Sequence, residues 1–348
     1  MENNLNSICI VRLSAIGDAT HVLPVVATLQ KNFPQAKITW VIGKLEYKLM
    51  QGLEGVEFVV FDKRAGLKAY LALRKKLKNT TFDVLLHMQY SLSSNLAAWM
   101  IKAKQRVGFD KKRSRELHGL RLNKRIQAVE KQHVLDGFME FAKSLGIKDE
   151  VYQWNISTSK EDKAFAKNII DKDKITVVIS PCSSNKLRNW SNEKYAQVCD
   201  YLITKYKAQV ILCGSPSPFE KQTAKEIETL AKYPVTNITG KDTLKQLFAI
   251  MQAADIVISP DSGPMHIANA AQTPVIGLHG ATTSKRSGAY SFQHLAVDCF
   301  EQAAVKILNK SPDKIRWGGQ IIAPGVMDLI TVDAVKAKID EVLSKYPV

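Results

Sequence analysis

Apolar positions along the chain fall into two series of short buried runs alternating with amphipathic stretches. The first run, Ile8-Cys9-Ile10-Val11-Arg12-Leu13, reads as a strand and passes through the turn 14–18 into a helical stretch ending near Asn32. Further strands are predicted at 37–42, 56–61, 82–87 and 105–109, and helices near 66–79, 91–102 and 132–146. A second series places strands at 175–180, 208–213, 235–238, 255–259 and 274–278, with helices at 191–206, 218–231, 243–253 and 263–271. This rhythm is that of α/β domains with parallel sheets and crossover helices. The polar segment 156–174 between the series reads as a linker, giving a first domain of 1–155 and a second of 175–331. Val332, Val335, Ile339 and Val342 recur at helical spacing, so 332–348 is expected to be a closing helix that packs on either domain.

Length agrees with this division, since 348 residues exceed one ordinary core and suit two domains. A hydrophobic share of 45% and a charged share of 24% are globular values that exclude wholesale disorder, collagen and coiled coil. Forty-nine Lys and Arg against 33 Asp and Glu leave +16, which suits a polyanionic partner: nucleic acid, a phosphorylated substrate or an anionic membrane surface. Cys9, Cys182, Cys199, Cys213 and Cys299 are odd in number, scattered and form no CxxC pair, so they read as reduced core thiols in a cytosolic setting. The opening residues 1–7 lack a basic leader region, and no apolar run reaches the roughly 20 residues of a membrane span. Membrane contact is therefore expected to be peripheral.

Doubly wound domains bind ligands at the carboxyl ends of their strands, so the loops there are the candidates for chemistry. The loop Leu13-Ser14-Ala15-Ile16-Gly17-Asp18 lacks both the dinucleotide and the Walker glycine patterns. Asp18, at the helix entrance, reads equally as an N-cap and as a carboxylate able to take a proton from an acceptor hydroxyl. In Ser180–Trp190, Ser183, Ser184, Lys186 and Arg188 combine hydroxyls and cations in one loop, either capping the next helix or holding a diphosphate. In Ser259–Ala268, Gly263 and Pro264 open a helix whose first N–H groups form an anion site. Asp261 there is placed to bind a sugar hydroxyl and His266 a phosphate, with a satisfied core histidine as the plainer reading of His266.

Asp171-Lys172-Asp173 spells a metal-binding DxD, but it lies in the polar linker ahead of a strand and is discounted as a metal site. The surplus charge concentrates in the first domain. From 102 to 133 there are eleven Lys and Arg against three acidic residues, a net +8, and Lys63, Arg64, Lys68 and Arg74–Lys78 form a second basic stretch. A solvated helix face accounts for 74–78. The broken segment around Lys111, Lys112, Arg113 and Arg115 fits an anionic acceptor or a membrane surface better.

Arg12-Leu13-Ser14-Ala15-Ile16-Gly17-Asp18 and Ser259-Pro260-Asp261-Ser262-Gly263-Pro264-Met265-His266-Ile267-Ala268-Asn269-Ala270 together resemble glycosyltransferase family 9, in particular its ADP-heptose:lipopolysaccharide heptosyltransferases. The likeness spans nearly the whole chain. It implies a GT-B fold of two Rossmann-like domains facing across a cleft, the first binding the acceptor and the second the ADP-sugar. It also implies an inverting transfer of heptose from ADP-L-glycero-D-manno-heptose to Kdo-lipid A, without metal or other cofactor, at the cytoplasmic face of the inner membrane. By the same resemblance Asp18 is the general base and Arg188 the diphosphate-binding cation, where relatives commonly carry lysine. Asp261, Ser262, Gly263 and His266 form the donor-binding turn, and Glu220 contacts the nucleotide ribose. Ser183, Ser184 and Lys186 join the donor site, while Lys63, Arg64, Lys111, Lys112, Arg113 and Arg115 are expected to bind the acceptor. The rivals are transfer of a later heptose or another sugar, a sugar-nucleotide epimerase, and a basic RNA-binding protein. The last would show salt-sensitive RNA binding without ADP release, and no RRM, KH or zinc signature supports it, so no nucleic-acid partner is expected.

Overall fold

The computed structural model describes residues 5–344, which divide into two compact units at 157/158. Residues 1–4, where the leader was sought, and 345–348, the end of the expected closing helix, lie outside the described residues.

In the first unit, β1 (Ser7–Val11), β2 (Lys37–Gly43), β3 (Val56–Phe61), β4 (Thr81–His87), β5 (Lys102–Gly108) and β6 (Lys124–Arg125) form one sheet in the order β3-β2-β1-β4-β5-β6. Every neighbouring pair is parallel. The connecting helices are α1 (Ile16–Asn32), α2 (Lys44–Met50), α3 (Leu67–Leu77), α4 (Leu92–Trp99) and α5 (Val134–Lys143). Three features departed from the periodicity, one of them the two-residue strand β6, which no apolar run marked. The short helix α2 was not expected, and β5 starts at Lys102 instead of 105. Lys102, Lys104 and Arg106 obscure β5 because it lies near the sheet edge, where charged side chains reach solvent beside their ladder bonds.

The second unit repeats this arrangement. Its strands are β7 (Thr176–Ile179), β8 (Gln209–Leu212), β9 (Thr236–Asn237), β10 (Ile256–Pro260), β11 (Val275–His279) and β12 (Val297–Asp298), all parallel, in the order β12-β11-β10-β7-β8-β9. Its helices are α6 (Lys160–Ile169), α7 (Asn192–Tyr206), α8 (Pro218–Leu230), α9 (Leu244–Ala253), α10 (Gly263–Ala270), α11 (Ser284–Ser287), α12 (Phe300–Leu308) and α13 (Val332–Leu343). In both sheets the strand order thus reverses between the first and fourth strands, β1/β4 and β7/β10, and the crevice beyond those strand ends is where such folds bind ligands.

The division between the units falls at 157/158, inside the segment 156–174, but most of that segment is not a linker. Ser159 and Asp162 close a reciprocal capping box that starts α6, which packs on α9 within the second unit. The polar composition that hid this helix comes from its exposed face, Ala166 being its one fully buried side chain. The closing helix packs on the second unit, where Val335, Ile339 and Leu343 enter the core and Tyr201 and Tyr206 both donate to Asp340. All five cysteines are free and buried, as their apolar surroundings implied.

Candidate active site

At the β1/β4 switch of the first unit, Arg12 follows β1 with its guanidinium almost wholly buried. A buried charge needs partners. Arg12 donates to Met88 O at 2.7 Å and forms an ion pair with Asp18, and it lies 5.1 Å from the Phe138 ring centre. Asp18 is therefore not an N-cap. Ala15 occupies the cap position without a side-chain bond, and Asp18 stands in the first turn of α1 with about a third of its side chain exposed. Gln89, after β4, binds the opposite lip of the crevice: its Oε1 accepts from Leu13 N at 2.7 Å and from Ser14 N at 3.3 Å. Glu46 of α2 is buried nearby, and burial raises its carboxyl above the ordinary range although Arg12 partly offsets the rise. Sequence reasoning singled out neither Arg12 nor Gln89 as a site residue. A lone arginine inside an otherwise apolar strand run was the available signal.

The expected acceptor residues separate into two groups. Lys63, Arg64, Lys111 and Arg115 are exposed, in loops following the carboxyl ends of β3 and β5. Lys112 is paired with Glu130 at 2.6 Å on the surface. Arg113 is committed to the fold: its guanidinium pairs with Asp110, donates to Gln127 O at 3.1 Å and lies over Phe109. Three other arginines of the basic run are similarly engaged. Arg106 donates to three carbonyls, Arg125 to Phe109 O and the Ser114 hydroxyl, and Arg121 to Trp99 O. Arg113 therefore does not join the free cations expected to meet an acceptor, because the loop uses its charge to satisfy its own carbonyls and carboxylate.

At the β7/β10 switch of the second unit, the chain turns from β10 into α10 at Asp261-Ser262-Gly263. Ser262 occupies the cap position without capping, its hydroxyl instead 2.9 Å from that of Ser259, so the first N–H groups of α10 have no side-chain cap. Asp261 is the centre of the cluster. Its carboxylate accepts from the Ser287 hydroxyl at 3.1 Å, and it lies 3.9 Å from Arg188 Nη1 and 3.8 Å from His266 Nε2. Burial favours its neutral form, but His266, His279 and Thr282 around it outweigh that effect and hold the carboxyl well below its ordinary range. His279, at the end of β11, is fully buried, and burial holds its ring below the ordinary imidazole range against the pull of Asp261 and Asp298. Asp298 in turn accepts from the amide and hydroxyl of Ser284 at 2.7 Å each, fixing the turn that carries Ser287. His279, Thr282, Ser287 and Asp298 were not found from sequence, although the loop after the predicted strand 274–278 was a place to look.

The remaining expected donor residues differ in where they point. Arg188, on a one-turn helix over 186–188, aims at Asp261, and its Nε is buried with no protein partner. Lys186 instead lies over the Phe219 ring, 4.4 Å from its centre. The Ser183 hydroxyl donates to Asn185 O at 2.8 Å, and Ser184 is exposed. Glu220, in the first turn of α8, accepts from Ser215 N at 2.7 Å and from the Ser215 hydroxyl. A Cβ at Gly214 would sit 2.8 Å from Glu220 Oε2, so a larger residue there would displace that carboxylate. Beside it, Thr239 Oγ1 is buried without a protein partner at the end of β9. The edge thus combines fixed carboxylates, an arginine with an unspent donor and an uncapped helix start, which is the equipment for a nucleotide diphosphate. Among the described residues, no group of three or more His, Cys, Asp or Glu is placed to hold a metal ion. Asp171 pairs with Lys174 at 3.1 Å, ahead of β7 and away from this edge.

The model of glycosyltransferase family 9 (heptosyltransferase) matches residues 70–312. The chain belongs to glycosyltransferase family 9. This glycosyltransferase is 39% identical over 94% of its length, and 94% of the relative's, to the lipopolysaccharide core heptosyltransferase OpsX of Haemophilus influenzae. It is 27% identical to lipopolysaccharide heptosyltransferase 3 of Escherichia coli K12, over 76% of this chain and 80% of that one. The crystal structure of a family 9 glycosyltransferase from Veillonella parvula matches with a TM-score of 0.82 at 20% identity, covering 99% of both chains. The E. coli heptosyltransferase WaaC with ADP matches with a TM-score of 0.73 at 22% identity, over 96% of this chain and 99% of that one. The glycosyltransferase therefore has the GT-B fold, as its resemblance implied.

Proposed function

We propose that this glycosyltransferase moves heptose from ADP-L-glycero-D-manno-heptose to the Kdo-lipid A inner core of lipopolysaccharide, with inversion and without a metal ion. The observation that carries this reading is the Arg188–Asp261–His266 cluster at the open start of α10, in a chain 39% identical to a lipopolysaccharide core heptosyltransferase. The acceptor oxygen attacks the anomeric carbon as the bond to the β-phosphate breaks. ADP leaves with the bonding pair, and the acceptor proton passes to Asp18. Arg12 orients that carboxylate through their ion pair. Arg188, His266 and the first N–H groups of α10 stabilise the charge growing on ADP, which is the work a metal ion does in other transferases. Glu220 and Thr239 are suited to the nucleotide's ribose, and Lys63, Arg64, Lys111 and Arg115 to the anionic acceptor.

No helix among the described residues is long and apolar enough to cross a membrane. We infer a peripheral position at the cytoplasmic face of the inner membrane, where the lipid-anchored acceptor is made. Addition of a later heptose is the second reading, favoured by the match to heptosyltransferase 3. A matrix of ADP-sugars against Kdo-lipid A and heptosylated acceptors separates the two. Transfer only to a heptosylated acceptor would establish the second reading, and ADP-heptose turnover without any acceptor would overturn both.

A further inference from the structure

The first unit presents its most exposed apolar side chains among its cations. Leu67, 74% exposed, and Leu71, 57% exposed, stand one turn apart on α3, opposite the buried face of Ala69, Leu73 and Leu77. At helical spacing Lys68, Arg74 and Lys75 flank them on the outward side. Leu117 and Leu120, 57% and 65% exposed, lie in the turn after β5 beside Arg115. These two patches are tied together: the Tyr70 hydroxyl of α3 donates to Ser93 O of α4 at 3.4 Å, and Leu92 N, at the start of α4, donates to the Glu116 carboxylate. All follow carboxyl ends of strands of one sheet. Residues 1–157 also carry 25 Lys and Arg against 14 Asp and Glu, most of the chain's surplus.

A leucine held in water while cations crowd around it fits one chemistry, the boundary between anionic headgroups and acyl chains. We propose that α3 and the 116–120 turn dock on an anionic bilayer, with Leu67, Leu71, Leu117 and Leu120 entering the headgroup–acyl boundary and the flanking cations resting on phosphates. The choice of a bilayer as partner rests on the membrane reading above, whereas the surface itself is given by exposure and charge. It adds an apolar, salt-resistant component to an attraction that charge alone would leave salt-sensitive. Withdrawing a leucine side chain from water is worth roughly ten- to a hundredfold in partitioning.

The test uses the full chain with vesicles of phosphatidylcholine, with and without phosphatidylglycerol, at low and high salt. Leu67→Ser with Leu71→Ser is expected to weaken partitioning onto the anionic vesicles at least about tenfold at both salts. Melting temperature and turnover on a water-soluble, acyl-free acceptor should stay unchanged. Because the five native cysteines are buried, Leu71→Cys can be labelled selectively with an environment-sensitive fluorophore, whose emission should shift to the blue on vesicle addition. Unchanged partitioning of the serine variant, or a label that stays in water while the protein binds, would overturn the proposal. So would lipid-independent self-association abolished by the same substitutions, which would assign the surface to a second copy. Failure of the transfer reading is distinguishable, since it appears as absent turnover by the unsubstituted enzyme on the acyl-free acceptor.

Discussion

Replacing Arg188 by alanine tests the donor site at its best-defined cation. Its side chain is 18% exposed, its Nε has no protein partner, and its nearest charged neighbour is Asp261 at 3.9 Å, too long for a direct hydrogen bond. The guanidinium therefore holds unspent donors beside an uncapped helix start, and a bound diphosphate would take them. A charge-assisted hydrogen bond to such a group contributes about 1.5–3 kcal/mol, which corresponds to a loss of roughly ten- to 150-fold in affinity for ADP. Turnover should fall further than ADP affinity, because charge on the leaving group is greatest in the transition state. Arg188→Lys keeps the charge but not the planar fork, so it should lie between the two. The assay is calorimetric titration with ADP beside steady-state kinetics, with melting temperature as the folding control. ADP affinity within about twofold of the unsubstituted enzyme, with unchanged turnover, would refute the reasoning and shift attention to Lys186.

Asp18→Asn is expected to lower turnover at least about 100-fold. It should also cost about 1–2 kcal/mol of stability, since Arg12 loses its ionic partner while remaining buried, and denaturant unfolding measures that cost. Lys111→Ser with Arg115→Ser should raise acceptor KM with little change in melting temperature, whereas Arg113→Ser should lower the melting temperature by freeing the Asp110 carboxylate and the Gln127 carbonyl. Equal effects of the two would contradict the division between free and structural cations. The ring centres of His87 and His118 lie 4.3 Å apart with the rings tilted by 44°, burial holding His87 well below and His118 near 4, against an ordinary value of 6.5. Their folded-state values are depressed, so stability is complete above pH 6.5 and declines as pH falls toward 4. His118 alone accounts for about 2 kcal/mol of loss by pH 5, measurable by urea unfolding at pH 7 and 5.

Much of the fold was readable because buried parallel strands leave continuous apolar runs, and helices between them leave stripes. Most of what escaped has thin apolar content, although α12, which buries Phe300, Ala303 and Ala304, was missed as well. The helix α6 buries one side chain fully, and β6 and β12 have two residues each, so neither pattern nor length marked them. The capping box at Ser159 and Asp162 was the one local signal that 156–174 is structured. In the candidate site, Asp18, Arg188, Asp261 and His266 were singled out because each stands in the turn or first helical turns that follow a strand's carboxyl end. Their partners were not, since contact depends on tertiary neighbours: Arg12 lies six residues before Asp18 across a turn, and Ser287 reaches Asp261 from another strand's loop. Charge density was the least reliable guide. It marked 102–133 as a binding surface, yet Arg106, Arg113, Arg121 and Arg125 spend their donors on nearby carbonyls.

The most direct test incubates the purified chain with ADP-L-glycero-D-manno-heptose and Kdo-lipid A, and follows both ADP release and the mass and anomeric linkage of the glycolipid. The account predicts stoichiometric ADP and addition of one heptose with inverted configuration, undiminished by a metal chelator and abolished by Asp18→Asn. Retained configuration, loss of activity on chelation, or no heptosylated product from a folded enzyme that binds ADP would contradict it.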